Sequence, residues 1–216
     1  ALIKGHGKNN MMHGHAHNDI LSIELWISGE MVFVDPGTYC YSSNLNLRDK
    51  FRSTKNHSTI IVNSNELNQL GPGAFEINWK TNFNCIEWIV SDDQIKFVGT
   101  HDAYIKRYGI EIKRTIIYNN SFWSIKDELI GEIDDSLNIE NRWILSPSIK
   151  NVGIKDNKII LNDFIMLNFT PSKEIILYNT QYSPSYGVKN KTKALKNSFQ
   201  NGKNHFSELK IIFEKH

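Results

Sequence analysis

Three histidines alternate in the run His13-Gly14-His15-Ala16-His17-Asn18-Asp19, and Asp19 continues the series. In an extended chain, residues two apart share a face, so these side chains can converge on one site. Imidazole is the commonest transition-metal ligand and the usual general acid or base near neutral pH. The run passes directly into an alternating apolar stretch, which argues against a solvated turn or a tag remnant. Two further groups stand where strands begin or end: Asp35 ahead of Pro36-Gly37, and His57 ahead of the run 58–63. Two histidines and one carboxylate with an open fourth position form the donor set of a zinc site that keeps a water or substrate ligand. Taken alone, Asp35 reads equally well as a turn former, and His57 as a surface histidine or as one that orients a ligand.

The elements that must position these groups are strands. Ile (29) and Asn (25) are abundant, and β-branched residues with turn formers favour strand over helix. Leu21, Ile23, Leu25 and Ile27 fall on one face of the run 20–28. Ser28-Gly29-Glu30 turns the chain, and Met31-Val32-Phe33-Val34 returns it, which predicts a β-hairpin. Further strand-like runs cover 58–63, 74–80, 85–91, 94–100, 110–118, 122–129, 137–145, 158–161, 164–169, 174–178 and 206–214. This spacing predicts an all-β fold, an antiparallel multi-stranded β-sandwich, in a single domain over residues 1–216. No helix longer than about two turns is expected. Residues 44–56 and 187–204 read as long loops, the second Lys/Asn-rich and expected to be mobile.

Composition excludes several classes. Lys+Arg 25 against Asp+Glu 23 leaves a formal charge of +2, so neither nucleic acid nor an anionic membrane would be gathered by charge. No run of about 20 apolar residues is present, so no spanning helix is expected. Cys40 and Cys85 are too few for a disulfide framework and read as free, packed thiols. The five Trp read as core more readily than as sugar-stacking faces.

A metal shared by Asp35 and any of the three alternating histidines, of which His17 is the nearest, would impose a condition on the chain path. If Ser28-Gly29-Glu30 is a three-residue loop, Asp35 lies opposite Ile23, six residues from His17. That is roughly 20 Å along a straight strand at about 3.3 Å per residue. Residues 13–19 must therefore leave the strand and fold back over the hairpin.

The run GHAHNDILSIELWISGEMVFVDPGTY, followed by FRSTKNHSTIIVN, resembles the heparinase II/III-like family of polysaccharide lyases, specifically its C-terminal β-sheet domain. The pieces GTHDAYIKRY, WSIKDEL, RWILSP and SPSYG agree, so the resemblance spans nearly the whole chain. It implies cleavage of uronic-acid polysaccharides, such as heparan-type glycosaminoglycans or alginate, by β-elimination. It implies His15 as the proton-transfer residue, and His17, Asp35 and His57 as ligands of a structural zinc ion. It also implies an N-terminal α/α toroid as partner, supplying an Asn and a Tyr, and a periplasmic or secreted location. That toroid has no counterpart in these residues, so the chain alone is expected to turn over little. Arg52 in the FRST segment could bind sulfate or carboxylate bidentately, although a surface cation is the simpler reading. His101-Asp102 reads as a strand-edge turn, or as a pair supporting the metal ligands. Tyr39 and Tyr41 read as packing against the hairpin. The rival classes are a non-catalytic carbohydrate-binding or interdomain module, and a stand-alone metal-dependent barrel enzyme of cupin type.

Overall fold

The computed structural model describes residues 1–6, 14–155, 158–171, 174–199 and 205–213. His13 therefore lies outside the described residues. In chain order the first strands are β1 (Leu2–Ile3), β2 (Ile23–Ile27), β3 (Glu30–Phe33), β4 (Ile60–Val62), β5 (Gln69–Leu70) and β6 (Ile77–Asn78). Then come β7 (Phe83–Val90), β8 (Ile95–Tyr104), β9 (Ile110–Tyr118), β10 (Phe122–Ile130), β11 (Ile139–Ile144) and β12 (Val152–Lys155). The last are β13 (Lys158–Leu161), β14 (Ile165–Thr170), β15 (Glu174–Ser185), β16 (Val188–Ser198) and β17 (Phe206–Phe213). Helix α1 (Leu45–Arg52), a 3-10 turn at Thr54–Asn56 and the short α2 (Ile105–Tyr108) complete the described elements.

The strands form an antiparallel sandwich. One sheet runs β12-β13-β14-β17-β10-β9-β8-β7, and a second runs β15-β16-β11-β4. The β1-β2-β3 sheet joins the second layer at its end: Phe33 bridges Leu145, and Val34 donates to the Ile144 carbonyl at 3.0 Å. Alternation decides which side chains enter the core. In β9, Ile110, Ile112 and Ile116 are buried while their neighbours are not. Each such Ile contributes roughly 1.5–3 kcal/mol by leaving water. Trp143 of β11 lies against Phe33 at 5.2 Å and against Phe169 of β14 at 6.3 Å, measured between ring centroids. No helix among the described residues is long and apolar enough to cross a membrane.

Two expectations fail for identifiable reasons. Residues 44–56 are helix rather than loop, because Asn44 caps α1 by accepting from the Leu47 amide at 2.9 Å and the helix buries Arg48, Phe51 and Arg52. A face built of two arginines carries no hydrophobic periodicity, so the pattern conceals the helix. Of the Lys/Asn-rich stretch 187–204, residues 188–198 are β16, paired on one side with β15 and on the other with β11, while 200–204 lie outside the described residues. Thr192, Ala194, Leu195 and Asn197 are buried there while its lysines line the solvent side. Other runs shift their bounds: 74–80 contributes only the two residues of β6, and β15 extends to Ser185. Cys85 is exposed, whereas Cys40 is buried as expected.

One buried ion pair occupies an inward position of both central strands. Arg114 faces Asp127 directly across β9 and β10, with Nε–Oδ1 at 2.6 Å and Nη2–Oδ2 at 2.8 Å. Nη1 donates to the carbonyls of Leu21 and Ser58, each at 2.6 Å, and the guanidinium lies 5.3 Å from the Trp143 ring. Asn141 of β11 donates to Asp127 at 2.8 Å. Removing one member of such a pair leaves an uncompensated buried charge. Asp127→Ala is therefore expected to cost about 3–5 kcal/mol in a urea unfolding titration. A loss below about 1 kcal/mol would contradict the pairing.

Candidate metal centre and its rim

The fold-back required by the hairpin register is present. Ser28 and Gly29 both take positive φ, 49° and 83°, and form a two-residue turn with Ile27 opposite Glu30. A register shift after Leu25 pairs it with Phe33. Continuing that register places Asp35 beside Ile23, as the three-residue loop would have done. The strand ends at Ile23, and Leu21 at φ 62° turns the chain away. Residues 14–22 then cross the sandwich edge, held by Asn18 N–H to the Arg52 carbonyl at 2.9 Å and by Thr59 Oγ1 to the Ile20 carbonyl at 2.8 Å.

Asn18, fully buried, is the hub of this crossing. Its Nδ2 donates to Glu66 Oε2 at 2.7 Å and to the Asn68 carbonyl at 2.8 Å, and its Oδ1 accepts from the Asn68 amide at 3.1 Å. Glu66 also accepts from the Thr54 amide and hydroxyl, each at 2.7 Å. His17 is thereby placed opposite the loop that leaves β3 and the turn that precedes β4. One ligand atom from each of His17, Asp35 and His57 lies within 4.8 Å of the others. Asp35 Oδ2 is 3.6 Å from His57 Nδ1, and the two rings are 5.3 Å apart.

The electrostatics of the three groups are coupled. Burial, and His57 beside it, push the His17 ring down to about 3. Burial opposes charge on His57 as well, yet the Asp35 carboxylate 3.6 Å away, with Asp19 and Glu66 behind it, raises its pKa overall. Burial would raise Asp35, but His57, His17 and Lys4 hold it well below the usual carboxylate range. His57 is fully buried and neither ring nitrogen has a hydrogen-bond partner. Buried polar atoms are rarely left so. Two imidazoles and one carboxylate around orphaned nitrogens fit a zinc-type ion. His17 is oriented from outside the cluster, with Nε2 2.9 Å from Arg48 Nη1 and 3.0 Å from Thr38 Oγ1.

His15, two residues along, is exposed on the rim, its ring edge-on to Tyr41 at 5.6 Å and Phe75 at 5.5 Å. Asp19 turns inward with its carboxylate 3.5 Å from His6, and burial raises its pKa. His101 is fully buried within β8, so it is not a strand-edge turn, and burial and Arg114 push its ring down to about 3. Asp102 beside it accepts from Asn82 instead.

This chain matches the model of the heparinase II/III-like C-terminal domain over residues 4–212. It belongs to that family. It is 25% identical over 129 residues to a heparin-sulfate lyase of Bacteroides stercoris, covering 58% of this chain and 17% of the relative. The heparan sulfate lyase HepC of Pedobacter heparinus shares the fold at TM-score 0.71 and 19% identity, over 92% of this chain and 31% of that one. A solved heparinase III superposes at TM-score 0.76 and 15% identity, over 98% of this chain and 31% of that one. This heparinase II/III-like chain thus spans about a third of the solved relatives and under a fifth of the curated one.

Arg52 departs from the sequence expectation. It is buried, so it is not a surface cation, and its donors are consumed internally. Nε reaches Asp49 at 2.9 Å, Nη1 the Glu76 and Ala74 carbonyls at 2.8 and 3.3 Å, and Nη2 the Gly73 and Gly71 carbonyls at 3.0 and 3.3 Å. The guanidinium clamps the turn 71–76 and has no donor left for an anion. Arg48, Asn18, Glu66, Arg114 and Asp127 were not singled out from sequence. For Arg114 and Asp127 a signal existed, a charge at an inward position of an alternating strand; for the others none did. Arg52→Lys is expected to destabilise the chain by roughly 2–4 kcal/mol, because several buried carbonyls lose their donor. Amide exchange should quicken across 71–76, and unchanged stability would argue against the clamp.

Proposed function

We propose that this chain is the C-terminal domain of a polysaccharide lyase that cleaves uronic-acid-containing polysaccharide by β-elimination. The observation that supports it most directly is an exposed His15 two residues from a buried His17/Asp35/His57 cluster. His15 presents its imidazole to solvent, whereas the His17 and His57 rings of the cluster are buried. A cluster whose two imidazoles are buried and whose carboxylate is only partly exposed suits a cross-link, and an exposed imidazole suits proton transfer.

In this reading a uronate lies along the rim with its C5–H against His15. Proton removal at C5 and rupture of the C4–O bond create the C4–C5 double bond, and the leaving oxygen takes a proton. A His15 ring nitrogen accepts the C5 proton or returns one to the leaving oxygen. The carboxylate must be neutralised for C5 to become acidic, and a helical toroid domain preceding this chain would supply that group. His17, Asp35 and His57 would hold zinc, which supplies a structural cross-link between the fold-back, the loop after β3 and the turn before β4. Asn18 and Arg114 hold the same segments by hydrogen bonds, so His15 is fixed from beneath. A periplasmic or extracellular location accords with a polysaccharide substrate.

The test separates the two roles in the intact protein. His15→Ala is expected to lower production of unsaturated product from heparan sulfate by about 10²–10⁴-fold, with zinc content and melting temperature retained. Unaltered activity would favour a non-catalytic carbohydrate-binding module. His57→Ala should lose zinc by elemental analysis and melt at lower temperature. Zinc added to the stripped wild-type chain should raise the melting temperature and release protons, since His57 must be neutral to ligate. Failure of zinc to bind would remove the metal assignment and leave His15 untouched.

A further inference from the structure

Beside His15 stands a row of aromatic rings that the elimination chemistry does not use. Phe75 stacks on Tyr41 at 5.2 Å and 24°, and Tyr186 stacks on Tyr41 from elsewhere at 5.7 Å and 20°. Phe75 and Tyr186 are 47% and 63% exposed, with Tyr41 half-buried between them. Single exposed aromatics are ordinary, but a near-parallel row of three is costly to leave in water.

The row is assembled from three distant segments, each separately pinned. Phe75 rides on the turn 71–76, which Arg52 clamps and whose Ala74 carbonyl accepts from Arg48 Nε at 3.0 Å. Tyr186 sits at the tip of the β15–β16 hairpin, next to Gly187 at φ 75°. That hairpin is tied to the loop after β3 by Ser183 N–H to the Pro36 carbonyl and Gly187 N–H to the Tyr39 carbonyl, both 2.8 Å. The two backbones meet at Gly37, where an added Cβ would lie 2.0 Å from the Ser183 carbonyl. Gly37 at φ 75° therefore permits the approach that brings Tyr186 to Tyr41.

Two cations stand close to the row. The buried Arg48 guanidinium is 5.1 Å from the Tyr41 centroid, makes no ion pair among the described residues, and leaves Nη2 without a hydrogen-bond partner. Lys189 Nζ stands 4.7 Å over Tyr39 on the same hairpin. Stacked rings offer flat π-faces, and the C–H face of a pyranose is the matching surface. The cations beside them favour anionic sugar over neutral sugar.

We propose that Phe75, Tyr41 and Tyr186 form a saccharide-binding platform that carries the units of an acidic polysaccharide flanking the bond at His15. Phe75 and Tyr186 are positioning residues, and Tyr41 is the spacer that aligns them. The inference rests on the lyase reading for the identity of the chain held, but not for the existence of the platform.

In the intact protein, Phe75→Ala and Tyr186→Ala should each raise KM for heparan sulfate about fivefold or more, with kcat within about twofold. Tyr186→Phe should retain the wild-type KM, since the ring face and not the hydroxyl does the binding. Both side chains are exposed, so melting temperatures should not move. Unchanged KM in both alanine variants, or a fall in kcat alone, would overturn the platform while leaving His15 in its role. Should wild-type protein yield no unsaturated product, the lyase reading fails, and the platform is then read by calorimetric titration with a saturated heparan sulfate tetrasaccharide. Weaker binding by the alanine variants would sustain it, and equal binding would overturn it.

Discussion

The Arg114–Asp127 pair is the joint through which the sandwich controls its edge. A buried guanidinium must spend its donors inside the protein, and Asp127 takes only one side of the fork. The remaining nitrogen reaches the carbonyls of Leu21 and Ser58. Leu21 ends the fold-back that carries His15 and His17, and Ser58 directly follows His57. One cation in the core therefore sets the spacing of two segments 36 residues apart, judged by the Ser58 amide to Ser22 Oγ contact that closes the same junction. Breaking the pair would disturb the centre without touching any member of it.

From that joint outward, charge is arranged in layers. Arg114 is neutralised at the centre of the core by Asp127. Next come His17, Asp35 and His57, where burial disfavours charge on both rings while Asp35 favours it on His57. Beside them lies the buried Arg48, which touches His17 on one side and Tyr41 on the other and makes no ion pair among the described residues. A buried cation without a counterion is expensive unless something else benefits from its field. Its two neighbours are the cluster and the aromatic row.

The two buried arginines of α1 divide the labour. Arg52 holds the turn 71–76 through its carbonyls, and Arg48 links that turn to His17. The helix thus couples the metal-type cluster to the rim on which Phe75 is displayed. Strands supply the rigid frame, and the irregular segments between them carry His15, the cluster and the aromatic row, which is the usual division where precise placement is needed.

Much was legible in the residues alone. Alternating apolar positions and turn formers determined the sandwich, most strand cores and the hairpin of β2 and β3, because side-chain period follows directly from backbone geometry. On the condition that His17 and Asp35 share a metal, the hairpin register also demanded the fold-back. Tertiary structure decided the rest. A helix whose buried face is Arg48 and Arg52 has no apolar stripe, and β16 hides few large apolar residues, so neither carries a periodic signal. Whether an arginine meets solvent, a carbonyl or a ring depends on segments far away in sequence. Only packing could turn Arg52 inward, orphan the nitrogens of His57 and bring Phe75, Tyr41 and Tyr186 into one row.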